Sequence, residues 1–149
     1  MMTVYIGADH RGFKLKESLK KKLSEAGYEI VDTGNSKYEP DDDFVDFIPK
    51  LKDGVLKGGK GILICGSGVG VDIAANKIKG IRAGLLFDPK QARLAREDDN
   101  INVAVLAADF IDPARAWEII EIYLVAMFMP LERHIRRLEK IKLLENKDD

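Results

Sequence analysis

One short segment of the sequence, Cys65-Gly66-Ser67-Gly68-Val69-Gly70, joins residue types that together can stabilise negative charge. Its three alternate glycines allow the backbone to turn tightly and to direct several N–H groups into one concavity, and the helix predicted to follow adds the positive end of its dipole. The segment therefore predicts an anion site, either for a phosphate or for an oxyanion that develops during a reaction. A thiol beside a helix N-terminus ionises readily, so Cys65 is a candidate base or nucleophile at the edge of this site.

The residues of this segment are also compatible with two different roles. A cysteine at the end of an apolar strand is often only a small buried hydrophobic residue. A glycine-rich turn can also bind a nucleotide, and Asp88 lies near the place of a ribose-binding acid. The spacing differs from the dinucleotide pattern Gly-x-Gly-x-x-Gly, and the segment follows the third predicted strand instead of the first. The residues alone therefore leave nucleotide binding open.

Two more groups of polar residues are candidates for contacts with an anion. Asp9, His10 and Arg11 follow the first predicted strand, and His10 is one of only two histidines. Arg133 and Arg137 are four residues apart, so on a helix they share one face and can hold a phosphate together. The alternatives are a surface histidine without a role and a solvated charged face in a tail rich in Lys, Arg and Glu.

The elements that must position these residues appear as short apolar runs that alternate with longer amphipathic ones. Each short run is about five residues long and continuously apolar, as expected of parallel strands covered on both faces. The predicted strands cover residues 3–8, 28–32, 61–65, 82–87 and 103–107. The first predicted helix has Leu15, Leu19, Leu23 and Ala26 on one face, and the others cover residues 44–57, 69–79, 89–98 and 113–127.

This alternation predicts an α/β protein with a single-domain, Rossmann-like, three-layer fold that spans residues 1–149 and contains a five-stranded parallel sheet. Ligands bind at the carboxyl ends of the strands in such sheets, which is where Asp9 and Cys65 stand. After Pro130, residues 131–146 are predicted to form an extra C-terminal helix. Its apolar stripe packs either on its own domain or on a partner subunit: Ile135, Leu138, Ile141 and Leu144.

Composition excludes several classes of protein. The net charge is −1, so no basic excess is available to neutralise the phosphates of a nucleic acid. No apolar run approaches the roughly 20 residues of a membrane span, and the N-terminus does not resemble a signal peptide. A single cysteine excludes both an internal disulfide and a cysteine-rich metal site. We therefore expect a cytoplasmic protein without contacts to nucleic acid or membrane.

Motifs spread along nearly the whole chain make a more specific comparison possible. They are Gly7-Ala8-Asp9-His10, Ile64-Cys65-Gly66-Ser67-Gly68-Val69-Gly70, Ile73-Ala74-Ala75-Asn76-Lys77, Gly80-Ile81-Arg82-Ala83, Asn102-Val103 and Arg133-His134-x-x-Arg137. In type and order they resemble the ribose-5-phosphate isomerase B family, which includes the galactose-6-phosphate isomerase subunits. The cysteine–glycine segment followed by Ala-Ala-Asn-Lys is the most specific of them.

The resemblance implies an aldose–ketose isomerase that opens a furanose ring and then moves a proton between C1 and C2 through a cis-enediolate, with no metal and no organic cofactor. It implies that Cys65 shuttles this proton and that Ser67 takes the place of an assisting threonine. The enediolate would be held by the N–H groups of Gly66, Ser67, Gly68, Val69 and Gly70.

The resemblance also implies a set of substrate ligands. Asp9 corresponds to a residue at the ring end of the sugar, and the phosphate ligands correspond to His10, Arg133 and Arg137. Arg11 and Asn100, which adjoin these motifs, complete the predicted substrate-binding set. The family is dimeric or tetrameric with sites shared between subunits, which gives the apolar stripe of the C-terminal helix a reason to face a partner.

Three departures from the family pattern concern how the substrate is handled. The motif His-Asn-Asp-x-Asn, whose histidine opens the sugar ring, reads Asp98-Asp99-Asn100-Ile101-Asn102 here, so we expect Asp98 or Asp99 to take over ring opening. An aspartate is normally ionised at neutral pH and is then a poor acid. Asp109 stands where an arginine often binds phosphate, and a carboxylate there would repel the substrate unless it points away. The family's Asp-Tyr-Pro reads Asp43-Phe44-Val45, without the tyrosine hydroxyl.

The sequence as a whole predicts an isomerase of phosphorylated sugars that acts as a homo-oligomer, with ribose 5-phosphate and ribulose 5-phosphate as the default pair. The alternatives are an isomerase of another sugar phosphate, including one subunit of a galactose-6-phosphate type hetero-oligomer, and a non-catalytic module that binds a sugar phosphate or a nucleotide.

Overall fold

The centre of the structure, a computed structural model that describes residues 2–146, is a sheet of five parallel strands. The order of the strands across the sheet is β2-β1-β3-β5-β4. The strands are β1 (Thr3–Ala8), β2 (Glu29–Asp32), β3 (Lys60–Cys65), β4 (Ala83–Leu85) and β5 (Val103–Ala107). The predicted five-stranded parallel sheet is thus confirmed.

Helices cover both faces of this sheet. The bounds are α1 (Phe13–Glu25), α2 (Ile48–Leu56), α3 (Val69–Asn76), α4 (Pro89–Glu97), α5 (Pro113–Val125) and α6 (Glu132–Glu145). One core lies under α1, α4 and α5 and includes Ile62 and Ile64 of β3, while the other lies under α2 and α3 and includes Leu63 and Cys65. Successive residues of one strand thus enter opposite cores, which is why the strand sequences read as continuous apolar runs.

The carboxyl ends of β1 and β3 form the crevice where the strand order reverses direction. The chain places β2 on one side of β1 and β3 on the other, and Ala8 pairs with Ile64. In open parallel sheets this switch point is the usual place for a ligand. Asp9 and Cys65 therefore leave the sheet beside each other.

The predicted ends of β4 and α3 are wrong because side chains, instead of backbone groups, form hydrogen bonds with the backbone there. The strand predicted over residues 82–87 ends at Leu85, and the Gln91 side chain bonds the Leu85 carbonyl at 3.1 Å and the Phe87 N–H at 2.9 Å. The helix predicted over residues 69–79 ends at Asn76, whose side-chain amide bonds both the carbonyl and the N–H of Ala83, at 3.0 and 2.9 Å. In both cases a hydrogen bond from a side chain to the backbone of a neighbouring segment ends the element earlier than the apolar pattern does.

The helix predicted over residues 44–57 is divided into two parts. A 3₁₀ turn covers Phe44–Phe47, and α2 then begins at Ile48 with Pro49 in its first turn. A proline at this place lacks only an N–H that would be unpaired in any case, so it favours the start of a new helix. The remaining predicted ends agree with the structure to within one residue, except that α5 ends at Val125 and not at residue 127.

The extra C-terminal helix is present as α6, and much of its apolar stripe stays uncovered. Its last turn is tied to its own chain, since the Glu145 carboxylate accepts the Gly80 N–H at 3.1 Å. Ile135, Ile141 and Leu144 are nevertheless exposed, by 44%, 45% and 66%. Between residues 2 and 146, no helix combines the length and the apolar character that crossing a membrane requires.

Candidate active site

The glycine loop, residues 66–70, connects the end of β3 to the start of α3. Gly68 is the N-cap of α3 and has a φ of +75°, a left-handed conformation that glycine adopts at little cost. The carbonyls of Cys65 and Gly66 accept the N–H groups of Ala108 and Asp109 at 2.9 and 3.0 Å. The loop is thereby held against the end of β5.

Free N–H groups line this loop. In the part of the chain that the structure describes, the amides of Gly66, Ser67 and Gly68 donate to no protein acceptor, while the Val69 N–H bonds Ser67 Oγ at 3.3 Å. These amides stand at the positive end of the α3 dipole. The arrangement can hold a phosphate oxygen or an enediolate oxygen.

Cys65 is the buried residue from which the glycine loop departs. Its side chain is only 5% exposed and belongs to the apolar cluster under α2 and α3. On the other side of the loop, the ring of Phe44 packs so closely over Gly70 that a Cβ at that position would lie 2.7 Å from the ring. The departure Asp43-Phe44-Val45 therefore places an apolar ring beside the loop, where water is partly excluded.

Asp9 and His10 follow β1 at the same edge. Asp9 is buried, and its Oδ1 accepts the Gly12 N–H at 3.1 Å. His10 makes two contacts with Asp42 Oδ1, which accepts the backbone N–H of His10 at 3.0 Å and lies 2.8 Å from its Nδ1. Because Nδ1 is occupied, Nε2 is the nitrogen that His10 can offer to a ligand. Sequence reasoning missed Asp42, since nothing in the loop over residues 35–43 marks one of its acids as a partner of His10.

Asp9, His10 and Asp42 also form a cluster of possible metal ligands. One ligand atom from each lies within 4.8 Å of the other two. The hydrogen bonds of Asp9 to Gly12 and of His10 to Asp42 already account for this arrangement, so we assign no metal to it.

Arg11 and Asp109 form an ion pair across the mouth of the glycine loop. The Arg11 guanidinium lies so close to Gly66 that a Cβ at this position would collide with it. The pKa of Arg11 is raised by the hydrogen bond and the charge of Asp109, against a smaller opposing effect of burial and with minor contributions from Asp9 and Cys65. Asp109 thus does not face the site as a free carboxylate, and a cation from the β1 end stands at the loop.

Asp98, Asp99 and Asn100 lie at the opposite end of the strands, where β5 begins. Asp98 caps the end of α4, and Asn100 follows shortly before β5 begins at Val103. Cys65 pairs with Ala107 at the far end of β5. With a rise of about 3.3 Å per residue, this strand alone separates the two groups by about 13 Å. Within one chain, neither Asp98 nor Asp99 can reach a sugar that is held at the glycine loop.

Two arginines hold the segment that carries these acids. Arg96 is buried and donates from one nitrogen to Asn100 Oδ1 at 2.8 Å and to the Ile101 carbonyl at 2.6 Å. Arg82 donates to the Asn100 carbonyl at 2.8 Å. Asn100 has a φ of +46°, which an asparagine tolerates better than most residues. Asn100 is thus used in positioning the segment, a role that its place in the motif does not reveal.

The start of α6 lies beside the same acids. His134 is buried, and its Nε2 is 3.4 Å from Asp98 Oδ1. The pKa of Asp99 is raised by burial and by the charge of Asp98, and His134 and Arg137 oppose this rise. Arg133 and Arg137 are both exposed to solvent, where they can meet an anion from outside the chain. The predicted site residues therefore form two clusters, one at the carboxyl ends of the strands and the other at their amino ends.

Comparison with known proteins shows which proteins share this arrangement. The sequence pattern of the Ribose/Galactose Isomerase family matches residues 4–141. The chain belongs to this family. A probable ribose-5-phosphate isomerase B of Mycoplasma genitalium is 40% identical over 93% of this chain and 92% of its own length.

Solved structures agree with this family membership. Ribose-5-phosphate isomerase B from Mycoplasma genitalium with bound ribulose 5-phosphate has a TM-score of 0.92 at 38% identity and covers 99% of this chain and 98% of its own. The type B ribose 5-phosphate isomerase from Trypanosoma brucei has a TM-score of 0.90 at 41% identity, covering 97% and 99%. The resemblance inferred from the motifs and the Rossmann-like fold are both confirmed.

Asp88, the residue that kept a nucleotide site open, is engaged elsewhere. Its Oδ1 caps α4 by accepting the N–H groups of Lys90 and Gln91 at 2.8 and 3.2 Å, and its Oδ2 pairs with Arg115 at 2.9 Å. A ribose hydroxyl would have to compete with these partners. The structure thus offers no support for Asp88 as a nucleotide ligand.

Proposed function

We propose that this protein interconverts ribose 5-phosphate and ribulose 5-phosphate, as its relatives named ribose-5-phosphate isomerase B do. The observation that carries the proposal is the position of Cys65 at the switch point of the sheet, beneath unpaired amides and beside Asp9, His10 and Arg11. An isomerisation through an enediolate requires a base next to preorganised N–H donors, and this loop supplies both.

In this reaction Cys65 acts on the open-chain sugar. Its thiolate takes the C2 proton of the aldose, the C1 carbonyl oxygen becomes an enediolate oxygen, and the amides of Gly66, Ser67 and Gly68 stabilise that charge. The thiol then returns the proton to C1, the hydroxyl proton on O2 passes to the oxygen on C1, and the oxygen on C2 becomes the ketone. Asp9, His10 and Arg11 orient the sugar at the same edge of the sheet.

A second copy of the chain completes the site. Arg133, Arg137, Asp98 and Asp99 are too far from Cys65 in one chain, so they act on the sugar only if a partner presents them. The exposed apolar residues Val69 and Ile73 of α3 stand next to the glycine loop and suit such a contact.

A groove beside Asp98 and Asp99 is the surface that could receive α3 of a second copy. It lies between β4, α4 and α6, encloses about 1190 Å³ and has Asp99 at its rim. Its apolar lining includes Leu94, Ile101, Ile141 and Leu144. Docking of one copy's α3 near the other copy's groove would bring the two clusters together. A cytoplasmic location stays a prediction from the sequence.

Incubation in D₂O tests the proposal most directly. The purified protein should incorporate deuterium at C2 of ribose 5-phosphate or C1 of ribulose 5-phosphate and interconvert the two, and galactose 6-phosphate and tetrose phosphates serve as competing substrates. Turnover of only another sugar phosphate would correct the substrate, and binding of sugar phosphates without any exchange would show a non-catalytic module.

Cys65→Ala is the decisive variant in this assay. It should lower kcat by at least about 10²–10⁴-fold, the usual contribution of a positioned base, because no other thiol exists in the chain. Binding of the sugar phosphate, measured by calorimetry, should stay near the wild-type value. Near-normal turnover of this variant would contradict the assignment of the base.

A further inference from the structure

A buried histidine stands behind the acid that replaces the family's ring-opening histidine, and the reaction described so far gives it no role. His134 is only 3% exposed, whereas the side chain of Asp98 is 43% exposed. His134 Nδ1 lies 2.7 Å from the Met129 carbonyl, and Nε2 lies 3.4 Å from Asp98 Oδ1. The imidazole thus stands between a backbone carbonyl and the carboxylate.

This placement determines where the protons of the imidazole are. A carbonyl only accepts hydrogen bonds, so Nδ1 carries a hydrogen and Nε2 is the nitrogen that can gain or lose one. With both groups unprotonated, the lone pair of Nε2 would face a carboxylate oxygen, which is repulsive. The contact is favourable when one proton lies between Nε2 and Oδ1. An isolated aspartate would hold no such proton at neutral pH, and an imidazole can supply it.

We propose that Asp98 opens the sugar ring with a proton that His134 holds for it. This rests on the proposed function and on a partner's Cys65 completing the site. Asp98 Oδ1 faces His134 and holds the shared proton, and the exposed carboxyl group contacts the sugar with both oxygens. As the C1–O4 bond breaks, Oδ1 gives the shared proton to O4, Oδ2 takes the proton of the C1 hydroxyl, and the C1 carbonyl forms. The pair therefore holds one proton before and after the step, and no co-reactant is needed.

In this scheme Asp98 is the catalytic residue and His134 is a positioning residue that acts through it. Further charges stand beside the pair, since Asp99 interacts with Asp98, His134 and Arg137. Arg96 and Arg82 hold the nearby Asn100 through its side-chain and main-chain oxygens. The acid thus stands in a segment whose backbone is already held in place.

Two assays on the full-length protein separate ring opening from proton transfer. Ribose 5-phosphate is a furanose and must be opened, whereas ribulose 5-phosphate is acyclic because its C5 hydroxyl carries the phosphate. His134→Asn keeps a donor for the Met129 carbonyl but cannot hold the shared proton. It should lower kcat for ribose 5-phosphate by about 10²-fold or more. Incorporation of deuterium at C1 of ribulose 5-phosphate should continue at the wild-type rate.

The result that overturns the proposal is an equal loss in both assays, or no loss in either, in a variant with wild-type circular dichroism and oligomeric size. Failure of the wild-type protein to exchange deuterium at all would instead overturn the proposed function. The two failures are therefore distinguishable.

A second variant covers the case in which His134→Asn fails to fold. D98H keeps the buried His134 and places an imidazole directly at the exposed position. We expect its kcat for ribose 5-phosphate to exceed that of Asp98→Asn by about tenfold or more, since a directly placed imidazole contributes about 10²–10⁴-fold. Equal rates for D98H and Asp98→Asn would count against a proton-holding role for this position.

Discussion

At the scale of single residues, Arg11 and Asp109 show how a charge that looks unfavourable in the sequence is compensated in the fold. The sequence predicts that a carboxylate at position 109 either repels a phosphate or points away. In the structure Asp109 pairs with Arg11, and the guanidinium lies over Gly66. A pair of opposite charges here leaves the mouth of the site without the repulsion that Asp109 alone would cause.

Removal of Arg11 should therefore affect binding more than chemistry. Arg11→Ala leaves Asp109 as an unpaired negative charge beside the sugar phosphate, so we expect KM to rise by about tenfold, equivalent to about 1.4 kcal/mol, with a smaller change in kcat. The double variant R11A/D109A removes the repulsion as well and should recover part of the lost affinity. A double variant that binds no better than Arg11→Ala would show that Asp109 does not face the ligand.

At the scale of the elements, one buried cation joins α1 to the edge strand β2. Lys16 is fully buried, and its Nζ donates to Asp32 at 2.9 and 3.0 Å and to the Asn35 carbonyl at 2.6 Å. Burial raises the pKa of Asp32, but the hydrogen bonds from Lys20 and Lys16 and from the Gly34 N–H outweigh it, and the net shift is downward. The pair thus stabilises the folded state while Asp32 is ionised.

Asp32→Asn should destabilise the protein in a pH-dependent way. At pH 7 we expect the free energy of unfolding to fall by about 2–3 kcal/mol, less than a fully broken buried pair because the Asn35 carbonyl still accepts from Lys16. Since the folded-state pKa of Asp32 is lowered, its contribution is complete above about pH 4 to 5 and disappears as the pH falls through that lowered value. Urea unfolding at pH 7 and pH 3 measures this, with Asp53→Asn on the exposed side of α2 as control. An equal loss at both pH values would contradict the ionic origin.

The elements also show how far sequence reasoning reaches. The strands and helices and their order follow from apolar periodicity, because each core face requires it locally. The ends of α3 and β4 do not follow from this periodicity, because the side chains of Asn76 and Gln91 pair there with backbone groups of another segment. The candidate site shows the same difference. The glycine loop can be predicted because its residues are adjacent in the sequence. The partners of His10 and Asp98, which are Asp42 and His134, stand more than 30 residues away in sequence and come together only through tertiary packing.

At the scale of the whole molecule, the fold places the two clusters of predicted site residues at opposite ends of the strands. Cys65 is at the carboxyl edge, and the acids and arginines are at the amino edge. No side-chain motion spans the length of β5. The proposed symmetric pair of chains would solve this, since the carboxyl end of each sheet would meet the amino end of its partner's sheet and two equal sites would result.

Mixing two inactive variants tests this shared site. Cys65→Ala lacks the base, and R133A/R137A lacks the phosphate-binding face of α6. If each site takes Cys65 from one chain and the arginines from the other, a mixed dimer contains one intact site and one doubly defective site. Equal mixing after partial unfolding should then regain about a quarter of the wild-type activity, because about half of the dimers are mixed and half of their sites are intact. If each chain instead built its own complete site, every site in the mixture would carry one of the two defects, and no activity would return.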